Sequence, residues 1–483
     1  MYLGIDIGTS SVKAVLIGND QAIVASRTAS LEVSRPHPGW SEQDPESWWR
    51  ACEAVLDGLA ADHASEMGAV RGVGLSGQMH GATLLDVADQ SLRPCILWND
   101  GRSEAEAFEL STASERITGN IAMPGFTAPK LLWVARNEPD LFAKVRTVLL
   151  PKDYIRLKLT GEKASDMSDS AGTLWLATET RDWSDEMLDL TALTRAHMPR
   201  LFEGSEVTGR LRSSLAARWG MPATTIVAGG GGDNAASGCG VGAVAPGTGF
   251  ISIGTSGVIF VSADRYRANP AGAVHAFCHA VPGTWHQMGV SLSAAASLDW
   301  IASMLKTPAA DLIGELGDKP AGPSPILFLP YLSGERTPHN DVAIRGAFSG
   351  LDQSHGRKDL VQAVLEGVAF AFKDCLDVLT MPLSEPRRLI AVGGGSRSRY
   401  WLSIIATVLG LPIAVPADGD FGAAFGAARL GLIAAENADP FAVCTPPAIR
   451  ETIDPVAALA DDYSAAHAAF CDLYPAIKEA MPR

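Results

Sequence analysis

Nowhere in the 483 residues does an apolar run reach the roughly 20 residues that a membrane-spanning helix needs. Aromatic residues are scarce, at 7%. The seven cysteines (Cys52, Cys95, Cys239, Cys278, Cys375, Cys444 and Cys471) are odd in number, scattered and form no CxxC pair. That excludes a disulfide framework and points to reduced thiols. Cys278 and His279, with His275 nearby, fall short of the fuller and better spaced set that zinc requires. Cations are in deficit: 39 Lys and Arg against 54 Asp and Glu leave a net charge of −15, which argues against a nucleic acid partner. An anionic nucleotide is still open, because local amides and magnesium can offset global charge. No GxxxxGK[ST] sequence occurs, so P-loop phosphate chemistry is excluded. The opening MYLGID is strand-like and lacks the basic head and cleavage site of a secretory leader. A cytoplasmic protein without membrane association is therefore expected.

What is present organises around residues 226–240, IVAGGGGDNAASGCG. A β-branched apolar run enters four consecutive glycines, then Asp233 and Asn234. Glycines let backbone approach a ligand closely, and a carboxylate at the end of a buried strand is costly to keep dry without a task. Two readings stand at this point: a turn in which Asp233 caps a helix, or a ligand loop in which Asp233 takes a proton from a hydroxyl. The rest of the chain is 47% apolar and 19% charged, as in an α/β enzyme, and long enough for two or three domains.

Residues 2–16 predict a β-hairpin whose Gly-Thr-Ser turn offers amides and hydroxyls to an anion, with Lys13 just beyond it. Asp6 faces away from Ile5 and Ile7. The same hairpin recurs at 250–261: Ile5 aligns with Ile251, Gly8-Thr9-Ser10 with Gly254-Thr255-Ser256, and Val12 with Val258. The chain is thus internally duplicated. Asp6 is matched by Ser252, so only the first copy brings a carboxylate for magnesium. The glycine run and Ala245-Pro246-Gly247 place the boundary between halves, giving domains 1–245 and 246–483.

Within the first half, a short strand over 70–75 ends in Ser76-Gly77-Gln78-Met79-His80-Gly81, a strand end of the kind where open α/β sheets place ligands. Helices are predicted over 46–59, 129–137 and 152–159, with Trp133 and Tyr154 as core residues. Residues 165–175 read as a polar turn-forming stretch. In the second half, helices are predicted over 290–304, 360–379 and 401–409. The strand over 388–392 ends in Gly393-Gly394-Gly395-Ser396-Arg397-Ser398, an echo of the central loop without its Asp, suited to admitting adenine or ribose against bare backbone. Residues 422–432 form a helix of small residues that lets a neighbour approach closely.

Together these stretches resemble the FGGY family of carbohydrate kinases. The carrying segments, in family order over nearly the whole chain, are GIDIGTSSVK, HPGWSEQDP, GQMHGATLLD, ILWNDGR, MPGFTAPKLLW, LLPKDYIRLKLTGE, GGDNAA, IGTSG, FLPYLSGERTPHND, LEGVAFAF and VGGGSRS. The resemblance implies an α/β fold of two actin-like, ribonuclease-H-like domains around a central cleft, the first binding sugar and the second nucleotide. It implies Asp233 as catalytic base, with Asp6 beside magnesium and the phosphates. Thr9, Ser10, Lys13 and Thr255 fall on the phosphate turns, Gly394, Gly395 and Ser398 on the nucleotide side, and Met79, His80 and Asn234 on the sugar side. The QMHG and GERTPHN segments are similar to those of members acting on D-xylulose, so ATP- and magnesium-dependent phosphorylation of that sugar is expected, with a ribulose or gluconate kinase as the alternative. A homodimer is compatible with this reading. The central loop carries one glycine more than the family's usual three, and the intact GDNAA implies that the strand before it absorbs the extra residue. Actin-like folds also serve as chaperone ATPases and filament subunits, which lack a base aimed at a small polyol.

Overall fold

The computed structural model describes residues 1–379, 386–417, 419 and 421–481. Two sheets dominate it. The first contains β1 (Tyr2–Ile7), β2 (Ser11–Ile17), β3 (Ile23–Ser30), β4 (Gly72–Gly77), β5 (Val207–Arg210), β6 (Ile226–Ala228) and β7 (Gly231–Gly232). Its order is β3-β2-β1-β4-β6-β5, with β7 also pairing with β4. The second contains β8 (Gly249–Ile253), β9 (Gly257–Ala263), β10 (His275–Cys278), β11 (Trp285–Ser291), β12 (Leu389–Val392), β13 (Ile413–Pro416) and β14 (Ile449–Ile453). Its order is β10-β11-β9-β8-β12-β13-β14.

Laid side by side, β3-β2-β1-β4-β6-β5 and β11-β9-β8-β12-β13-β14 have the same sequence of antiparallel, antiparallel, parallel, parallel and antiparallel pairings. The duplication legible in the two hairpins therefore extends across five strands of each sheet; the sixth differs in chain order, since β5 precedes β6 whereas β14 follows β13. It also corrects one analogy. The glycines at 393–395 follow β12, whose counterpart is β4, so they correspond to the Gly77–Gly81 stretch and not to the 229–232 loop after β6. Glycine content is local, whereas equivalence is set by strand order.

The helix α1 (Pro45–Asp62) begins on Pro45 with Asp44 accepting from the Glu46 amide. Its Trp48, Val55 and Leu59 join Leu3, Ile5 and Ile7 in one buried core. Between β4 and β5 lies a long insertion containing α2 (Thr127–Asn137), α3 (Pro151–Thr160) and α4 (Met167–Ala171). The polar stretch at 165–175 is thus a short helix, because Asp166 caps it through the Ser168 and Asp169 amides. Tyr154 is buried in the first-sheet core, while Trp133 is half-buried against Trp40 and Arg102.

Two further helices interlock the halves. From the first half, α5 (Asp233–Val241) lies over the second sheet, with Gly238 close to the Phe260 ring. In the second half, α6 (Ala295–Leu305) starts later than periodicity predicts, since Val290 belongs to β11. The helices α7 (Arg357–Asp377) and α8 (Arg399–Leu409) build that half's core together with the C-terminal α10 (Ala460–Ala480). Between α8 and α10, the small-residue helix α9 (Ala423–Glu436) returns to the first sheet. A Cβ on Gly4 would stand 1.8 Å from the Ala424 carbonyl oxygen, and one on Gly74 1.8 Å from that of Ala427. The α5–α9 crossing is equally tight: a Cβ on Gly426 would meet the Ala236 oxygen at 1.7 Å. No helix among the described residues is long and apolar enough to cross a membrane.

Candidate active site

The strand ladder brings the two singled-out carboxylates into one neighbourhood. Asp6 on β1 is opposite Lys13 on β2 and Ser76 on β4. On the other side of β4, Gly231 pairs with Ser76 and Gly232 with Gly77, so Asp233 emerges one residue later beside the end of the strand that flanks Asp6. The four glycines divide the work. Gly229 and Gly230 make the turn, their amides donating to Glu206 and Gly204 carbonyls at 2.8 Å, while Gly231 and Gly232 rejoin the sheet. Gly230 has φ +75° and would place a Cβ 2.1 Å from the Leu75 oxygen, so no other residue fits there.

Asp233 is the first residue of α5, with Gly232 in the cap position. Its Oδ1 accepts from the Asn234 amide at 2.7 Å and from Asn234 Nδ2 at 2.9 Å. Burial, reinforced by the negative charge of Asp6, pushes the Asp233 carboxyl up to about 7 despite those bonds. Burial likewise raises Asp6 to about 6, offset in part by Ser76 and Lys13. Asp6 Oδ1 is buried and has no hydrogen-bond partner.

Asp233 and Asn234 share a cavity of about 260 Å³ with Met79, His80, Trp98, Phe126, Thr255, His275 and Arg336. His80 takes φ +69°, and its carbonyl accepts from Thr127 Oγ1 at 3.1 Å and Lys130 Nζ at 3.0 Å. Its Nδ1 is 2.7 Å from the Gly172 carbonyl, which can only accept, so Nδ1 carries the proton and Nε2 is an acceptor. Burial lowers the ring's pKa to about 3 and keeps it neutral. Gly172 is required for this packing: a Cβ there would meet His80 Cε1 at 2.5 Å.

A second cavity, of about 770 Å³, has Gly254 and Thr255 in common with the first and is walled by Leu298, Ile313, Gly394, Gly395, Ser398, Tyr400 and Trp401. Thr255 is thus the partition between a small chamber of mixed lining and a larger, more apolar one. Gly395 is held against Ile253, where a Cβ would approach Cγ2 to 2.3 Å. Ser398 Oγ caps α8 by accepting from the Trp401 amide at 3.1 Å.

The first hairpin turn behaves differently from its copy. The Thr9 hydroxyl donates to Gln78 Oε1 and accepts from Trp98 Nε1, both at 3.0 Å. Gln78 and Trp48 both donate to Gln43 Oε1, at 3.0 and 2.9 Å. The Thr9 side chain is therefore engaged by its own half, and the exposed hydroxyl of this turn is that of Ser10. Neither residue, nor Asp6 or Lys13, is in the wall of the two cavities. Lys13 is on β2 across from Asp6, its pKa lowered by burial.

Reading the sequence missed Trp98, Phe126, His275 and Arg336 as wall residues. Trp98, Phe126 and Arg336 sit inside segments already singled out (ILWNDGR, MPGFTAPKLLW and GERTPHN), but no one-dimensional signal aims them at Asp233. The Cys278–His279 neighbourhood is dispersed: Cys278 donates to the Thr178 carbonyl and His279 contacts that of Ala243. Among the described residues one group, Asp374, His467 and Cys471, has metal-capable atoms close together. Its residues, on α7 and α10, line neither cavity, and His467 and Asp374 are already hydrogen-bonded at 2.7 Å.

The N-terminal domain of the FGGY family of carbohydrate kinases matches residues 1–240, and that family's C-terminal domain matches residues 249–435. The chain belongs to this family. Its fold is accordingly the duplicated actin-like pair of domains that the two matching sheets display. It is 52% identical over 443 residues to a xylulose kinase from Klebsiella pneumoniae, covering 90% of each chain. It superposes on the crystal structure of a xyloylose kinase from Brucella ovis with a TM-score of 0.98 and 58% identity, covering 99% of this chain and 100% of that one. For the xylulose kinase from Rhodospirillum rubrum the TM-score is 0.91 at 31% identity, with 99% of each chain covered.

Proposed function

We propose that this FGGY kinase transfers the terminal phosphoryl group of ATP to the terminal hydroxyl of D-xylulose, giving xylulose 5-phosphate. The observation that carries the reading is the partition at Thr255. On one side is a polyol-sized chamber with a carboxylate of raised pKa, and on the other a glycine-walled cavity large enough for a nucleotide. The xylulose kinases among its relatives support the choice of sugar.

A primary hydroxyl barely ionises at neutral pH, so a positioned carboxylate that accepts its proton as the phosphoryl group arrives is what the chemistry lacks in water. Asp233 fills that role. Asn234 fixes one of its oxygens, leaving the other for the substrate. His80, neutral and with Nε2 unprotonated, accepts from a sugar hydroxyl, while Met79 and Phe126 cover the carbon chain. Gly394, Gly395 and Ser398 are on the nucleotide side, and Ser10 and Thr255 belong to the two phosphate turns. Asp6 fits a magnesium ion, because its buried Oδ1 has no other partner; bound there, the metal would neutralise phosphate charge.

The reading is tested by ADP release with a panel of ketoses and polyols. D-xylulose should give the highest kcat/KM, and preference for ribulose, gluconate or glycerol would replace the sugar assignment. His80→Ala should raise the Michaelis constant for D-xylulose about tenfold and that for ATP by less than about twofold, since one hydrogen bond to a neutral partner contributes roughly 0.5–1.5 kcal/mol. Equal increases for both substrates would reassign His80 to fold maintenance.

A further inference from the structure

Behind the glycine loop lies a group of five ionisable side chains with no solvent exposure. Lys152 Nζ is 2.6 Å from Asp153 Oδ1, 2.8 Å from Asp166 Oδ1 and 3.2 Å from Asp169 Oδ2. Arg156 completes the group, 3.7 Å from Asp153. Burial and the neighbouring carboxylates push Asp169 well above the usual carboxylate range. Buried ion pairs of this kind stabilise little compared with apolar packing, because desolvation offsets the attraction. Their value has to be sought in what they orient.

What they orient is the loop that carries Asp233. Arg156 donates to the carbonyls of Ala228 and Gly229, where the loop begins. At the other end, Ser168 Oγ accepts from the Gly232 amide at 3.1 Å, the residue immediately before Asp233. Ser168 can accept there because its single hydroxyl proton goes to Asp166 Oδ2, 2.5 Å away. Lys152 Nζ lies against the other oxygen of Asp166, so the ammonium group and the serine hydroxyl converge on one carboxylate. A stretch of four glycines has the greatest backbone freedom of any sequence, yet a general base must be held to a fraction of an ångström.

We propose that Ser168, oriented by the Lys152–Asp166 pair, and Arg156 are positioning residues that pin the two ends of the glycine loop and so set where the Asp233 carboxylate stands. The inference rests on the assignment of Asp233 as base. Ser168→Ala removes the acceptor for the Gly232 amide without adding bulk. In the full-length enzyme it should lower kcat at least about tenfold, with both Michaelis constants within about twofold, since displacing a catalytic group by about 1 Å can cost 10²-fold. Ser165→Ala is the matched control. Ser165 is equally buried, donates to Asp153 Oδ2 at 2.6 Å and accepts from Ser170 Oγ at 2.9 Å, with no hydrogen bond to the loop. It should lose comparable thermal stability and keep kcat within about twofold. In an Asp233→Asn background, Ser168→Ala should change the residual turnover by less than about twofold, because the two act as one unit.

Full turnover in Ser168→Ala overturns the inference. So do equal losses of turnover in the two serine variants, or an undiminished effect in the Asp233→Asn background. A crippled Asp233→Asn beside a fully active Ser168→Ala would sink this inference alone, whereas near-normal turnover in Asp233→Asn would remove the base and its positioning together.

Discussion

Asp233→Asn is expected to lower turnover at least about a hundredfold while ATP and D-xylulose still bind. Asparagine keeps the size and the bonds to Asn234 but cannot take a proton, and general-base assistance contributes about 10²–10⁴ in rate. Neither ground-state complex needs the proton moved, so calorimetric affinities should change far less than kcat. Near-normal turnover would remove Asp233 from the mechanism, and loss of sugar binding alone would reduce it to a ligand. The raised pKa adds a second readout. A carboxyl that titrates near 7 when folded and near 3.8 when unfolded binds its proton more tightly in the native state, so it destabilises the fold as pH rises from about 4 to 7 and fully so above 7. The neutral isostere escapes that penalty. Asp233→Asn should therefore unfold at a higher temperature than the parent at pH 8, and the gain should shrink as the pH approaches 4. In the metal-free protein the Asp233 carboxyl should titrate near 7, followed by carboxyl-resolved NMR, and Asp6→Asn should move that titration to lower pH by removing the charge that repels it.

A large loss of stability is expected for Gly74→Ala. The added Cβ would stand 1.8 Å from the Ala427 oxygen and 2.6 Å from its carbonyl carbon. These are backbone atoms of α9, which cannot rotate away as a side chain could. Overpacking usually costs about 1–3 kcal/mol, and a contact with rigid backbone belongs at or beyond the upper figure. A lower unfolding temperature and reduced soluble yield are the expected results. Gly101→Ala, where the nearest atom would be 3.7 Å away, should be nearly neutral. Equal behaviour of the two variants would mean that α9 does not press on β4 as described.

Much of the site was already visible in one dimension, for reasons that are themselves local. The two Gly-Thr-Ser hairpins are contiguous stretches with period-2 patterning, so their duplication could be aligned by eye. Asp233 stood out because a carboxylate directly after four glycines is costly unless used. Met79 and His80 ended a strand, where ligands collect. Residues 422–432 announced a close approach through their small side chains, although not that the partner would be a sheet from the other half.

What remained hidden depends on strand order and on side chains converging from distant segments. The equivalence of the 393–395 glycines to the end of β4, and not to the central loop, follows from which strands pair. The hydrogen bonds of the Thr9 hydroxyl to Gln78 and Trp98, 69 and 89 residues away, are likewise invisible along the chain. The same holds for the buried Lys152 network. Its residues read as an ordinary amphipathic helix and a polar turn, because a charge in a sequence carries no sign of whether it will be solvated. The sequence by itself determined the family, the two hairpins, the glycine loop and the identity of the candidate base, since each is encoded by neighbours along the chain. Only the tertiary structure decided what surrounds that base, what raises its pKa and what holds it still, because burial and electrostatic coupling arise between residues that meet only when the chain has folded.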